Sequence, residues 1–229
     1  MFEPETGFSR RLAIAGLLGS VLLPSAARAA GLGSALTGVL GRASDGALDK
    51  LARPGAFYDD PAIRIALPLL GGGIGGAIGS VLDFGQKLGV TDNLVRRINN
   101  AAGSAAGEAK PIFRSAISSL SLSDVPGIAT QKDGATRYLE RSAGDQLEGK
   151  LRPLVDDGLE KAGAYRKLDK MTRRYDFMAK AGLTHDKLGH SVTQQALKGI
   201  FHYIGSEEAR LRDNPLDSAG GLFKGLLGN

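Results

Sequence analysis

The sequence predicts an all-α fold: a multi-helix bundle forming a single domain, preceded by a cleavable signal peptide. Three observations carry this. Apolar residues recur three and four positions apart along most of the chain, the period of a helix with one buried face. Alternating runs of Val, Ile and Thr, the mark of half-buried strands, are missing. Glycine is abundant, 33 of 229 residues, alongside much Ala and only 6% aromatic residues, which suits helices whose backbones approach closely. The expected organisation is a signal over residues 1–29 and one all-helical domain over 30–229, with six to nine helices.

The N-terminus reads as an address. Arg10 and Arg11 precede a short apolar run from Leu12 to Leu23, and Ala27-Arg28-Ala29 fits the small-x-small rule, with cutting expected before Ala30. The run is too short for the ~20 apolar residues of a stable membrane span. Ser9-Arg10-Arg11 resembles a twin-arginine signal but suits the general route as well, and both stay open. The expected location is therefore the periplasm. With no cysteine in the chain, a lipid-modified N-terminal Cys, disulfides, thiolate metal sites and thiol nucleophiles are all excluded.

The elements follow in order. Ser34 to Leu51 predicts a helix, and the Pro-, Gly- and Asp-rich stretch after it a loop, with Asp59-Asp60 before Pro61 as a cap. A helix from about residue 92 has Thr91 or Asp92 as N-cap. Pro111 suits the first turn of the next, whose face is Ile112, Phe113, Ala116, Ile117 and Leu120. Ser123-Asp124 caps a short piece. Lys132 to Ala162 predicts a helix broken near Gly144, and the following helix runs to a stop at Gly182. The longest periodic run has Leu188, Val192, Ala196, Ile200 and Ile204 four apart and ends at Asn214-Pro215. A tail bearing Leu222, Phe223, Lys224, Leu226 and Leu227 closes the chain.

The most unusual stretch is IALPLLGGGIGGAIGSVL, residues 65–82. Gly71, Gly73 and Gly76 satisfy a dinucleotide-loop pattern, but Pro68 precedes them and no second strand follows, so that reading fails. Membrane insertion is the alternative, since the stretch is uncharged. The favoured reading is a one-sided bundle helix, with Leu70, Ile74, Ala77, Ile78 and Val81 on one side and Gly72, Gly76, Asp83 and Lys87 opposite. Each glycine costs a helix roughly 0.8–1 kcal/mol against Ala, so this helix depends on its neighbours.

Chemistry-bearing patterns are few. His185, His190 and His202 are not paired four apart on one helical face, so no metal site is expected. Asp59-Asp60, Asp156-Asp157 and Glu207-Glu208 are adjacent pairs that diverge on a helix. Asp156 reads as the partner of Arg152, Asp157 of Lys161 and Glu208 of Arg212 at four-residue spacing, and Asp59-Asp60 as a cap, rather than as acid–base pairs. No nucleophile-elbow motif occurs, and Ser121 and Ser123 look like helix-boundary residues. No catalytic residue and no cofactor is expected.

One face stands out. Arg166, Lys167, Lys170, Arg173 and Arg174 share an arc of their helix, with Leu168, Met171, Tyr175 and Met178 opposite and Phe177 on the basic side. Asp169 is placed to pair with Arg173. The formal charge is +5, falling by one on loss of the signal, and the pI is about 9.5. The basic residues are interleaved with acids, unlike a nucleic-acid stripe, so no nucleic-acid partner is expected. Anionic lipid or a cell-envelope polymer fits the basic arc.

The ordered segments GAFYDDPAIRIALP, EAKPIFRSAISSLSLSDVPGI, DGATRYLERSAGDQLEGKLRPLVDDGLEKAGAYRKLDKMTRRY and ALKGIFHYIGSEEARLRDNP resemble an exported bacterial family known as domain of unknown function four-one-nine-seven. The likeness covers roughly residues 33–227 and implies an all-helical exported protein; it supplies no activity, ligand or site residue. The chain departs from the family pattern at LLGGGIGGAIGSVL, where relatives have a charged amphipathic helix, and at its tail, where relatives have a basic, Thr-containing one. The favoured functional expectation is a non-catalytic periplasmic binding or structural module. The alternative is a lipid- or membrane-surface protein using the Gly-rich helix 65–82 and the basic helix 164–181, and an enzyme of unknown type stands third.

Overall fold

A computed structural model describes residues 25–68, 92–121, 128, 130–174 and 183–214, with side chains from residue 33 onward. Among these residues there are seven helices and no strand. They are α1 (Ser25–Leu51), α2 (Ala56–Asp59), α3 (Asp92–Glu108), α4 (Lys110–Ser118), α5 (Gly134–Lys161), α6 (Ala164–Arg174) and α7 (His185–Asp213).

Helix α7 is the hub. Thr184 caps it, its hydroxyl accepting the Lys187 N–H at 3.2 Å. Leu188, Val192, Ala196, Ile200 and Ile204 are all buried, as the four-residue spacing predicts. Leu197 and Phe201 widen the stripe, so α7 packs against α5, α1 and α3 at once. Phe201 meets Phe113 of α4 edge-on, with ring centroids 6.1 Å apart.

Small residues set the spacing of the other helices. Ala101, Ala102, Ala105 and Ala106 line the buried side of α3. Gly158 of α5 lies so close that a Cβ there would stand 2.8 Å from the Ala101 carbonyl oxygen. Tight backbone approach, not bulky side chains, fills this part of the core.

The helix N-terminus of α5 is held from outside. Asp133 makes no side-chain cap; instead the fully buried Glu208 of α7 accepts the N–H groups of Ala135 (3.1 Å) and Thr136 (2.8 Å) and the Thr136 hydroxyl (2.6 Å). Arg212 Nη2 balances its charge at 2.5 Å. Glu207 points the other way, to Lys50 of α1 and Arg210. The adjacent carboxylates therefore diverge, and each ties α7 to a different neighbour.

Four features differ from the sequence expectation. Helix α1 begins at Ser25 rather than Ser34, so its backbone includes Ala27, Ala29 and Ala30. Helix α5 continues through Gly144: Leu139, Ala143, Leu147 and Leu151 are buried on one line and hold it across the glycine, whose helix penalty is only about 1 kcal/mol. Asp169 pairs with His185 rather than with Arg173. And Ile65–Pro68, taken as the start of a helix, is non-helical backbone.

That last segment is a buried strap between α3 and α7. Ile65 and Leu67 point into the core. The Asn99 carboxamide donates to the Ile65 carbonyl and accepts its N–H, both at 2.9 Å. Gln195 does the same for Ala66, at 3.0 and 2.9 Å. Two carboxamides thus supply the hydrogen bonds a helix would have made internally. Upstream, Asp60 accepts the Ala62 N–H (2.9 Å) and the Tyr203 hydroxyl (2.7 Å); it closes a turn rather than capping a helix, because the backbone after it is non-helical. Gly71, Gly73 and Gly76, and residues 69–82 of the Gly-rich stretch, lie outside the described residues. So do residues 1–24, Thr91, Ser123-Asp124, Tyr175, Phe177, Met178, Gly182 and the tail from 215. Among the described residues no helix is long and apolar enough to cross a membrane.

Candidate anionic-surface contact

Helix α6 begins at a tight corner. Gly163 adopts φ 68°, a left-handed conformation that L side chains resist, and so ends α5 and turns the chain. The helix then presents two unlike sides. Ala164, Tyr165, Leu168 and Met171 are buried against the bundle.

A polar clamp fixes that buried side in orientation. The Tyr165 hydroxyl donates to Asp156 Oδ1 at 2.5 Å, and Arg152 reaches Asp156 Oδ2 at 2.8 Å and Asp186 Oδ1 at 3.1 Å. His185, at the start of α7, stacks on the Tyr165 ring at 4.4 Å and meets Asp169 Oδ1 at 2.8 Å. The clamp closes directly over Gly189 of α7, where a Cβ would stand 2.9 Å from both Arg152 Nη2 and the Tyr165 hydroxyl. Burial, followed by the Asp156 hydrogen bond, pushes the Tyr165 phenol well above its ordinary value. Burial opposes the Arg152 charge, yet its bonds to Asp156 and Asp186 outweigh that and raise its pKa.

With one side locked, the other is set toward solvent. Arg166, Lys170, Arg173 and Arg174 are exposed, and Lys167 is half-buried. Arg166 approaches Glu160 at only 3.8 Å, both being mostly exposed. Among the described residues Lys167, Lys170 and Arg173 have no ion-pair partner. Four of the five cations therefore face solvent along one arc, with Lys167 half-buried beside them.

A sixth cation stands beside them that the sequence reading missed. Arg97 of α3 donates through Nη1 to the Ala162 carbonyl and through Nε to Asn93 at 2.7 Å. It reaches the same α5–α6 corner as Arg166, and nothing in the linear sequence pairs the two positions.

His190 lies 3.3 Å from Glu148, and His202 is exposed. Asp157 pairs with Lys161 at 2.5 Å. Among the described residues no three His, Asp or Glu side chains converge as metal ligands. An open groove of about 570 Å³ runs between α5 and α7 over Phe201, lined by Lys132, Arg137, Lys198, Glu140 and His202. Its charge is largely answered locally, since Lys132 pairs with Asp213 and Arg137 with Asp133, each at 2.8 Å.

A family model described as a protein of unknown function (DUF4197) matches residues 26–228. No curated protein matches the chain. No solved structure matches it.

Proposed function

Because the chain belongs to the family of unknown function DUF4197, whose membership assigns no chemistry, we propose its role from its own geometry: a non-catalytic, exported helical module that docks reversibly on an anionic surface of the cell envelope through α6. The observation that carries this is the division of α6 into a clamped side and a cationic side. A helix whose rotation is fixed by Tyr165, Asp156 and His185 keeps Arg166, Lys170, Arg173 and Arg174 aimed outward together. Near an anionic membrane each such cation contributes about 1 kcal/mol, enough jointly for peripheral binding and too little for insertion.

Export is part of the same proposal. Cutting before Ala30 leaves every α1 side chain described as core, from Leu36 to Leu51, in the mature chain. N-terminal sequencing of periplasmic protein beginning at Ala30 supports export; an uncleaved cytosolic chain contradicts it. For docking, residues 30–229 are sedimented with phosphatidylglycerol-containing vesicles and with neutral ones. Binding to the charged vesicles alone, lost at about 0.5 M salt, is expected. Equal recovery with both vesicle types, or none with either, refutes docking.

A further inference from the structure

Arg97 and Arg166 come from different helices yet converge on one glycine. Arg166 Nη2 and Arg97 Nη1 lie 3.1 and 3.2 Å from the point where a Gly163 Cβ would stand. The two cationic nitrogens are thus no further apart than those distances laid end to end, well inside the ~8 Å screening length of physiological salt. Like charges this close repel unless something negative joins them.

Part of that negative charge is supplied locally. Arg97 binds the Ala162 carbonyl at the C-terminus of α5, where the helix dipole presents roughly half a negative charge. Glu160 lies 3.8 Å from Arg166 Nη1, but it is 62% exposed against 71% for the arginine, and such pairs are weakly held. Arg97 is half-buried and pinned by two hydrogen bonds, and among the described residues its Nη2 is unclaimed. Arg166 Nη2 is likewise unclaimed by any ion pair. A Cβ at Gly163 would crowd both nitrogens, so glycine is what lets the two guanidinium groups converge at this corner.

We propose that Arg97 and Arg166, converging on Gly163, form a binding site for a phosphate group, supplied by the headgroup of a membrane lipid. Guanidinium forks match phosphate oxygens in planar, paired hydrogen bonds of about 2.7–2.9 Å, and nitrogens no further apart than this upper bound are within reach of the oxygens of one phosphate. The ligand exchanges with the loose Glu160 contact while the Arg97 bonds stay in place. This inference rests on docking through α6 and adds to it a chemical preference: diffuse attraction by Lys170 and Arg173 accepts any anionic surface, whereas the paired arginines select phosphate.

The test uses residues 30–229 and vesicles of matched surface charge, one set carrying phosphatidic acid and the other oleate, with glycerol 1-phosphate as the soluble probe. Wild-type protein is expected to bind the phosphatidic acid vesicles at least about fivefold more tightly. Arg97→Gln is expected to remove that preference while leaving salt-sensitive binding to both sets, and Arg166→Gln to do the same. Circular dichroism confirms that Arg97→Gln is folded, and Arg97→Lys, which keeps the charge but not the fork, is also expected to lose the preference. Equal wild-type binding to both vesicle sets, with no heat from glycerol 1-phosphate, overturns the phosphate site and leaves docking intact. If neither set binds, docking fails, and calorimetry with glycerol 1-phosphate decides the site: binding lost in Arg97→Gln upholds it, and no heat from wild type overturns it. Binding of glycerol 1-phosphate without the vesicle preference overturns the lipid source.

Discussion

The Asn99 carboxamide grips the backbone of Ile65 at both ends, Nδ2 to the carbonyl and Oδ1 to the N–H, each at 2.9 Å in the core. Ile65 is fully buried, so neither backbone group can turn to water instead. Asn99 also donates to Val95 O at 2.8 Å, tying the grip to its own helix. An orphaned buried donor or acceptor costs about 1–3 kcal/mol. Asn99→Ala is therefore expected to lower unfolding free energy by about 2–4 kcal/mol in urea titration. Asn99→Asp removes both donations while burying a charge, and is expected to be worse.

Glu208 offers a second internal test. It is fully buried, and its loss removes the Glu208–Arg212 ion pair, in which the arginine side chain is only 15% exposed, along with the cap on Ala135 and Thr136. Breaking one partner of such a pair costs about 3–5 kcal/mol. Glu208→Ala is expected to destabilise by that order, and Glu208→Ala with Arg212→Met to recover part of it, because the second change replaces a largely buried cation that has lost its Glu208 partner. The capping of Ala135 and Thr136 stays lost, so recovery is incomplete. Thermal melts of the two single variants and the double variant read this directly.

Two glycines in α5 predict opposite outcomes. A Cβ at Gly158 meets the Ala101 carbonyl oxygen at 2.8 Å, backbone that cannot step aside, so Gly158→Ala is expected to cost about 1–3 kcal/mol. At Gly144 nothing lies within 4 Å, and Gly144→Ala is expected to stabilise by up to about 1 kcal/mol through helix propensity alone. A matched pair of denaturation curves distinguishes them.

The pH response follows from Glu207. Its burial opposes ionisation, but the hydrogen bonds from Lys50 and Arg210 outweigh it and hold the carboxyl below its ordinary value of 4.5. Asp60, which accepts from Tyr203 and Ala62, is depressed too. A group with a lowered folded pKa gives its full stabilisation above the ordinary value and loses it as pH falls through the folded one. Stability is thus expected to be flat above about pH 5 and to fall below it, with Glu207→Gln flattening that fall. Tyr165 works at the other end. Its phenol is raised, so the stability it contributes is present below pH 10.0 and declines above it as the unfolded chain ionises first.

How much of this was legible in the sequence depends on range. The α7 stripe from Leu188 to Ile204 was readable because one periodic face meets one core. The ion pairs of Arg152 with Asp156 and of Glu208 with Arg212 were readable because they lie four residues apart on one helix. The strap at Ile65–Pro68 was not, because its hydrogen bonds come from Asn99 and Gln195, 34 and 129 positions away. An apolar run looks helical until distant carboxamides satisfy its backbone. Gly144 reads as a break by local propensity, and the buried face from Leu139 to Leu151 overrides that propensity. The five cations of α6 were legible from spacing, whereas Arg97 joins Arg166 only through the packing of α3 against the α5–α6 corner.

Docking of the cationic side of α6 on an anionic surface depends on Lys170 and Arg173, both exposed and outside the Tyr165 clamp, and charge reversal at these two positions probes it. The measurement is the dissociation constant of residues 30–229 on phosphatidylglycerol vesicles, wild type against Lys170→Glu/Arg173→Glu. At about 1 kcal/mol per unit charge, the double reversal is expected to weaken binding by at least about 100-fold without shifting the melting curve. Unchanged binding by the reversed protein contradicts the account.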